Sequence, residues 1–405
     1  MLDSQDPALV MEYDIETPPI HPASLFASYR RAFVVFRFGP AVVGSSWIEI
    51  SDGQLAPVKL TTAVHDLVEP LRRLQQDGSR EPLAGRSASV AICTRDRADL
   101  LKQCLDSLKH LIGTEHEVIV IDNCPSDSRT EELVGRYPGV RYILEPRPGE
   151  GFARNRALRE SRRDFVAFTD DDARVDRLWL DCLLSNFADP AVALATGITM
   201  PLELETESQL WFERIHGFGK GFRRVTADIR NTNPLRAGRL GASVNMALRR
   251  SVVDEVGYFD EALGTGTIAR CGTDHEYFYR ILAGGFRAVY DPCALVWHRH
   301  RREYRALRST MRGYGVGVFA WWTRALFIER ELSVLLAGPR YFGLLFHRVM
   351  LTFVPGSKSF PRDLVFAEFL GALAGPVSYL RSRRRIKRYS ETSLGERAGE
   401  TAAVR

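Results

Sequence analysis

The stretch Phe165-Val166-Ala167-Phe168-Thr169-Asp170-Asp171-Asp172 sets the terms for the whole chain. A short apolar run of this kind predicts a buried strand, so the three carboxylates leave at its carboxyl end, where open α/β sheets keep their ligand crevice. Adjacent like charges repel and lose hydration at a cost unless something positive arrives. A hard divalent cation carrying a diphosphate meets that need. An acidic turn capping a helix is the plainer reading, and the neighbouring strand ends weigh against it.

Upstream the same pattern recurs. Ser89–Ile92, Val118–Ile121 and Val140–Leu144 predict strands, and Leu100, Cys104, Leu105, Leu108 and Leu111 mark a helix face between the first two. Helices are also expected over Ser128–Arg136 and Gly151–Ser161. Alternating strands and helices imply an α/β fold with a mainly parallel sheet and flanking helices. Its strand ends carry Thr94-Arg95-Asp96-Arg97, Asp122-Asn123 and Asp170-Asp171-Asp172. A dinucleotide-binding domain needs a Gly-rich turn after its first strand, and Cys93–Arg97 contains no glycine. The phosphate-binding loop of the P-loop NTPases is missing too. A nucleotidyltransferase would share the sheet and the acids but should show a Gly-rich basic loop at that same turn. A non-catalytic nucleotide- or sugar-binding scaffold is the other alternative. In Gly149-Glu150-Gly151-Phe152-Ala153-Arg154-Asn155, flexible backbone precedes cations at a helix start, a place suited to anionic oxygens. Arg95 and Arg154 are therefore expected to hold the nucleotide or its phosphates.

The 405 residues allow one large or two medium domains. Residues 1–86 read as a small N-terminal α+β domain, with strands at Ala32–Phe38 and Trp47–Ile50 and a helix from Thr62 to Leu74, joined by a linker at 78–86. Residues 87–330 form the expected catalytic domain, 331–389 an amphipathic helical region, and 390–405 a disordered tail. The net charge of +5 is concentrated in Arg-rich runs at Arg299–Arg312 and Arg381–Arg388. No basic repeat interleaved with aromatics accompanies them, so nucleic acid is not an expected partner. The apolar runs Tyr341–Val354 and Leu364–Leu380 are interrupted by charges, Gly or Pro, and fall short of the roughly 20 apolar residues of a spanning helix. Cationic flanks suit them instead to an anionic membrane surface. The six cysteines lack metal-site spacing, and Met1–Pro18 is polar, which together predict a cytoplasmic protein, peripheral on the inner face of a membrane.

Three further stretches bear on the site. Arg239–Met246 is rich in small residues; Gly272-Thr273-Asp274-His275-Glu276 precedes an apolar helix; Val296-Trp297-His298-Arg299-His300 puts two histidines on one face of an extended segment. Glu203–Gly221, with Trp211, Phe212 and Phe218, could line a sugar or lipid cleft.

Taken in order, Thr94-Arg95-Asp96, Asp122-Asn123, Gly151-x-x-Arg154-Asn155 and Asp170-Asp171-Asp172 resemble the family 2 glycosyltransferases with the type-A, nucleotide-diphospho-sugar-binding fold. The resemblance covers about Ser87 to Arg330. It implies an inverting glycosyltransferase that moves a sugar from a nucleotide-diphospho-sugar to a saccharide, lipid-linked or peptide acceptor. Residues matching Thr94 and Asp122 would contact base and ribose, and the one matching Asp170 would lie near the ribose. Arg95, Asp96, Arg154, Asn155 and Asp171 complete the expected donor site, with Ala242 and Asn245 beside the donor sugar. Asp172 and His298 would ligate Mn²⁺ or Mg²⁺, the imidazole favouring Mn²⁺. Asp274 matches the acid of a G-E-D-x-E motif and would be the catalytic base, with Thr273 where the pattern often has Glu.

Overall fold

The computed structural model describes residues 6–67, 71, 85–354 and 360–403. These fall into two compact units. The first comprises Met1–Leu144, Ala157–Gly257 and Phe278–Leu307; the second comprises Glu145–Arg156, Tyr258–Tyr277 and Arg308–Arg405.

In the first unit, β1 (Leu9–Asp14), β2 (Arg31–Phe38), β3 (Ala41–Ser51) and β4 (Gln54–Leu55) form a four-stranded sheet in that order. β2 is buried through its middle on both faces. Ala32, Val34 and Phe36 join the core that contains Val90, Ile92 and Val120. On the other face Phe33 and Val35 pack in a cluster with Ile198, Met200, Leu295 and Trp297. Successive side chains of a strand point to opposite faces, so one central strand is shared between two apolar clusters. The N-terminal sheet is thus part of the first unit's core, not the separate domain expected for residues 1–86. Residues 78–84 of the expected linker and 72–74 of the expected helix lie outside the described residues; the helix there runs Pro57–His65.

The main sheet contains β5 (Ala88–Thr94), β6 (Glu117–Asn123), β7 (Val140–Glu145), β8 (Phe165–Asp170), β9 (Ala173–Val175), β10 (Val192–Pro201), β11 (Val225–Ala227), β12 (Met246–Arg249) and β13 (Arg287–His298). Its order is β11-β13-β10-β12-β8-β5-β6-β7, with β9 on β13. β5 is parallel to both β6 and β8, so Thr94, Asp122 and Asp170 emerge together at one edge. The sheet is mixed, however: β12 runs antiparallel to both β8 and β10. The small-residue run Arg239–Met246 is mostly turns. It is made of the 3-10 turns Pro234–Leu240 and Ser243–Asn245, and β12 starts only at Met246.

The second unit contains the helices Val334–Leu351 and Arg362–Ala403 and most of Tyr304–Phe327. The backbone is therefore helical through most of the segment read as a disordered tail. Glycines let two of these helices meet at backbone distance: a Cβ on Gly371 would lie 2.1 Å from the Arg312 carbonyl oxygen, and one on Gly315 2.0 Å from that of Glu368. Arg324 is buried among Asp260, Glu276 and Glu329, and the Tyr379 hydroxyl also donates to Asp260. The units divide the chain differently from the boundaries expected at 330 and 389, because two segments from within 87–330 pack with the C-terminal helices.

Candidate metal and nucleotide site

β8 ends at Asp170, one residue short of the turn that leads to β9. Pairing of β9 with β13 sets Ala173 opposite His298, and the Arg299 N–H donates to the Asp172 carbonyl at 2.9 Å. This backbone register carries the histidine to the acids. Ligand atoms of Asp170, Asp172 and His298 all lie within 4.8 Å of one another.

Asp172 is buried, with Oδ1 3.2 Å from His298 Nε2 and Oδ2 3.4 Å from both Arg97 and Arg301. Burial pushes its carboxyl up, but His298, Arg301 and Arg97 more than offset this and hold it well below the usual range. Asp171 points elsewhere. The Thr94 hydroxyl donates to its Oδ2 at 2.8 Å and Arg97 to its Oδ1 at 3.0 Å. Burial, then the charge of Asp172, raises its pKa. Assignment of Asp171 and Thr94 to the donor site is corrected in part: the pair is bonded to itself, and Asp171 anchors the loop.

Two carboxylates and an imidazole fit Mn²⁺ or Mg²⁺, the oxygens suiting both and the nitrogen a transition metal. His298 Nδ1 lies 3.1 Å from His300 Nδ1, and His300 Nε2 lies 3.0 Å from Glu213 Oε2. Metal-binding histidines commonly have their far nitrogen oriented in this way. His300 is buried, which lowers its pKa. Phe212 and Phe218 pack on the two histidine rings at 4.4 and 5.1 Å. These aromatics, expected in an open sugar or lipid cleft, wall the histidine pair. Their helix, Glu207–His216, begins with a capping box formed by Thr206 and Gln209.

At the end of β6, Asp122 is fully buried and its Oδ2 accepts from the Tyr142 hydroxyl at 3.0 Å. Oδ1 has no hydrogen-bond partner among the described residues. Burial pushes this carboxyl up to about 6. A buried acceptor left in this state is suited to a donor N–H or O–H. Asp96 does a different job: in a left-handed conformation, φ 55°, it accepts from the Ser126 N–H and hydroxyl at 2.8 and 2.9 Å. It ties the loop after β5 to the loop after β6. Arg95 is half-exposed beside it, 3.5 Å from Asp96 Oδ2.

Asn245 is held by three hydrogen bonds within the first unit. Its Nδ2 donates to the Ile198 and Ala294 carbonyls at 2.8 Å, and its Oδ1 accepts from Trp179 Nε1 at 2.9 Å. Both amide hydrogens are used and the residue is completely buried, so its bonds knit β10, β13 and the Trp179–Ser185 helix together. Ala242, on the same run, packs against the main core.

Arg154, Asn155 and Asp274 belong to the second unit. Asn155 is buried, bonding the Phe259 carbonyl and N–H and Glu261 at 3.0, 2.9 and 3.1 Å. These bonds make it a clamp on the backbone at Phe259. Arg154 is buried in an ion pair with Glu150 and lies over the Phe259 ring. Asp274 lies in the first turn of the helix Thr273–Ala283, its Oδ1 accepting from the His275 N–H at 2.8 Å. Thr273 donates to Glu150 at 3.3 Å.

Sequence reasoning missed Arg97, Arg301, Tyr142, His300 as a partner of His298, and Glu213. Arg97 and Arg301 could have been found, since each directly follows a motif already singled out. Tyr142 and Glu213 carry no local signal.

The Glycosyl transferase family 2 model matches residues 89–257. The pre-mycofactocin glycosyltransferase of Mycobacterium tuberculosis is 30% identical over 234 residues, 57% of this chain and 46% of that protein. The chain thus spans about half the length of that relative. The succinoglycan biosynthesis protein ExoM of Rhizobium meliloti is 28% identical over 228 residues, 54% of this chain and 68% of that one. A mannosyltransferase from Pyrobaculum calidifontis, solved with GDP-Man and Mn²⁺, is 17% identical with a TM-score of 0.47, covering 85% of this chain and 90% of the other. The residues that match the family 2 glycosyl transferase model, 89–257, are thus those that carry most of the mixed sheet and the acids gathered at one edge of it.

Proposed function

We propose that the protein is an inverting glycosyltransferase that moves a sugar from a nucleotide-diphospho-sugar to an acceptor hydroxyl with the help of Mn²⁺ or Mg²⁺. The observation that carries this reading is the meeting of Asp170, Asp172 and His298 at the sheet edge that also holds Asp122. A cation bound there would neutralise charge on the departing nucleoside diphosphate. Asp170, Asp172 and His298 hold it; Arg97 and Arg301 keep Asp172 ionised. Asp122 Oδ1 takes a hydrogen bond from the base or ribose. Arg95 serves the phosphates as an exposed cation.

In the reaction an acceptor oxygen attacks the anomeric carbon as the bond to the phosphate oxygen breaks. The hydroxyl proton goes to a carboxylate, and we assign that base to Asp274. The acceptor is a saccharide, lipid-linked or peptide hydroxyl, as the sugar-transferring names of the relatives suggest. A cytoplasmic protein, peripheral on the inner face of a membrane, would meet such acceptors.

Screening nucleotide-sugars for metal-dependent transfer tests the reading, with the anomeric configuration of the product determined by NMR. Asp274→Asn should abolish transfer while calorimetry with UDP or GDP and Mn²⁺ still registers binding. An unchanged turnover number would remove the base, and a retained anomer would remove the single displacement. A chain that gives no metal-dependent heat with any nucleoside diphosphate would be a scaffold.

A further inference from the structure

From Leu332 to Ser390 the sequence has ten Lys and Arg residues and two acids, Asp363 and Glu368. Glu368 is buried and paired with Arg348 at 3.1 Å. The same stretch holds a concentration of exposed large apolar side chains. On the helix Arg362–Ala403, Phe366, Leu370, Leu373, Val377 and Leu380 are all exposed, Leu373 by 54%. They recur every three or four residues, the spacing of a single helix face. Arg384 and Lys387 continue that spacing and are exposed, as are Arg381, Arg383 and Arg385. The Val334–Leu351 helix and the residues just before it add Leu332, Leu335, Leu336, Leu344, Phe346 and Met350, with Leu336 64% exposed. Scattered apolar residues are ordinary on a surface, but a stripe of this kind, with Asp363 as the one partly exposed acid from Leu332 to Lys387, marks an interaction site.

We infer that this face docks in the plane of an anionic bilayer, the apolar stripe entering the headgroup boundary and the arginines meeting lipid phosphates. The inference rests on the peripheral-membrane part of the proposed function and names the surface and the lipid charge. Electrostatic complementarity selects the occupant. Among the described side chains a second copy of this face has no exposed acid to offer the arginines beyond Asp363, whereas anionic lipid offers negative charge and an apolar interior together.

By length and composition, Arg362–Lys387 could also cross a membrane, yet 44% of its apolar window is buried within the protein. Its other face holds Val365, Ala372 and Tyr379, and Gly371 and Gly375 are at backbone or Cβ contact with the Tyr304–Phe327 helix. With that side covered, the apolar residues left exposed form one stripe, as in a helix lying in the plane of a membrane. From Phe366 to Leu380 the stripe is about 21 Å long at the rise of an α-helix, short of the roughly 30 Å hydrocarbon core.

Flotation of the full chain with phosphatidylcholine vesicles, with and without phosphatidylglycerol, tests this. Binding is expected to the anionic vesicles, at least tenfold weaker to the neutral ones, and weakened by raised salt. Arg384→Glu with Lys387→Glu should weaken anionic binding by roughly fivefold or more per charge. Leu370→Glu with Leu373→Glu should abolish it while the circular dichroism spectrum stays unchanged. Because both pairs are exposed, one set of variants remains informative if the other misfolds. Absence of binding to either vesicle, resistance to alkaline carbonate extraction as for a spanning helix, or a lipid-free dimer split by Leu373→Glu would each overturn it. Calorimetry with UDP or GDP and Mn²⁺ on the same variants reports the donor site separately, so loss of docking is not mistaken for failure of the transferase reading.

Discussion

His298 and His300 face each other through their Nδ1 atoms, 3.1 Å apart, so one hydrogen serves the pair. Glu213, 3.0 Å from His300 Nε2, accepts a hydrogen there and leaves His300 Nδ1 as the acceptor. With a cation at the site, the shared hydrogen would sit on His298 Nδ1 and leave the Nε2 lone pair to the ion beside Asp172. His298 Nε2 and Asp172 Oδ1 converge at 3.2 Å, with Asp170 beside them.

The first prediction concerns that chain of bonds. Glu213→Ala should weaken Mn²⁺ binding about 10- to 100-fold by calorimetry, the usual range for an orienting partner of a metal-binding histidine. Long-range ¹H–¹⁵N spectra of the Mg²⁺-loaded protein should show His298 carrying its hydrogen on Nδ1, and a mixture of tautomers in the variant. An Nε2–H tautomer in the loaded, unsubstituted protein would place the ion elsewhere.

Asp172→Asn should eliminate measurable cation binding. The substitution removes a ligand charge and leaves Arg97 and Arg301 facing a neutral amide at a buried position. Retained Mn²⁺ affinity within threefold would place the metal elsewhere. Chelation with EDTA should likewise halt transfer, and added Mn²⁺ should restore it.

Asp122 should leave a mark on stability against pH. Its carboxyl titrates at about 6 in the folded protein and near 4 when unfolded, so the folded state holds the extra proton between those values. Stability from this group is present below about pH 4 and is lost as pH rises through 6. Asp122→Asn imitates the protonated acid and should flatten that slope, stabilising the protein at pH 7.5 by about 1–3 kcal/mol in urea titrations. It should also weaken nucleoside diphosphate binding, since it replaces a charged acceptor. A variant with an unchanged pH profile would mean the carboxyl titrates normally.

The buried amide of Asn245 predicts a stability effect. Asn245→Ala strands the Ile198 and Ala294 carbonyls and the Trp179 N–H, and should destabilise by about 2–4 kcal/mol. Gly197→Ala should be worse, because its Cβ would lie 2.0 Å from the Ala294 carbonyl oxygen and 2.6 Å from Asn245 Nδ2. Chemical denaturation checks both, and a Gly197→Ala midpoint equal to that of the unsubstituted protein would sink the packing argument.

The sequence by itself determined that strands and helices alternate and that acids sit at the ends of β5, β6 and β8. Strand periodicity and flanking turns are local properties, and a parallel sheet collects the ends of its strands without help from distant residues. That same local order placed Asp170, Asp172 and His298 in one family pattern, and they do meet. Only the tertiary structure decided what each polar side chain does once buried. Asn155 and Asn245 look like ligands in a motif, yet their bonds are filled by backbone from residues far along the chain. Asp171 stands between two ligand acids and turns to Thr94 and Arg97. The N-terminal sheet, readable as strands, merges with the first unit's core because β2 carries apolar residues on both faces and both find partners. Hydrogen-bond saturation depends on which groups arrive from elsewhere in the fold, and no local pattern of residues records that.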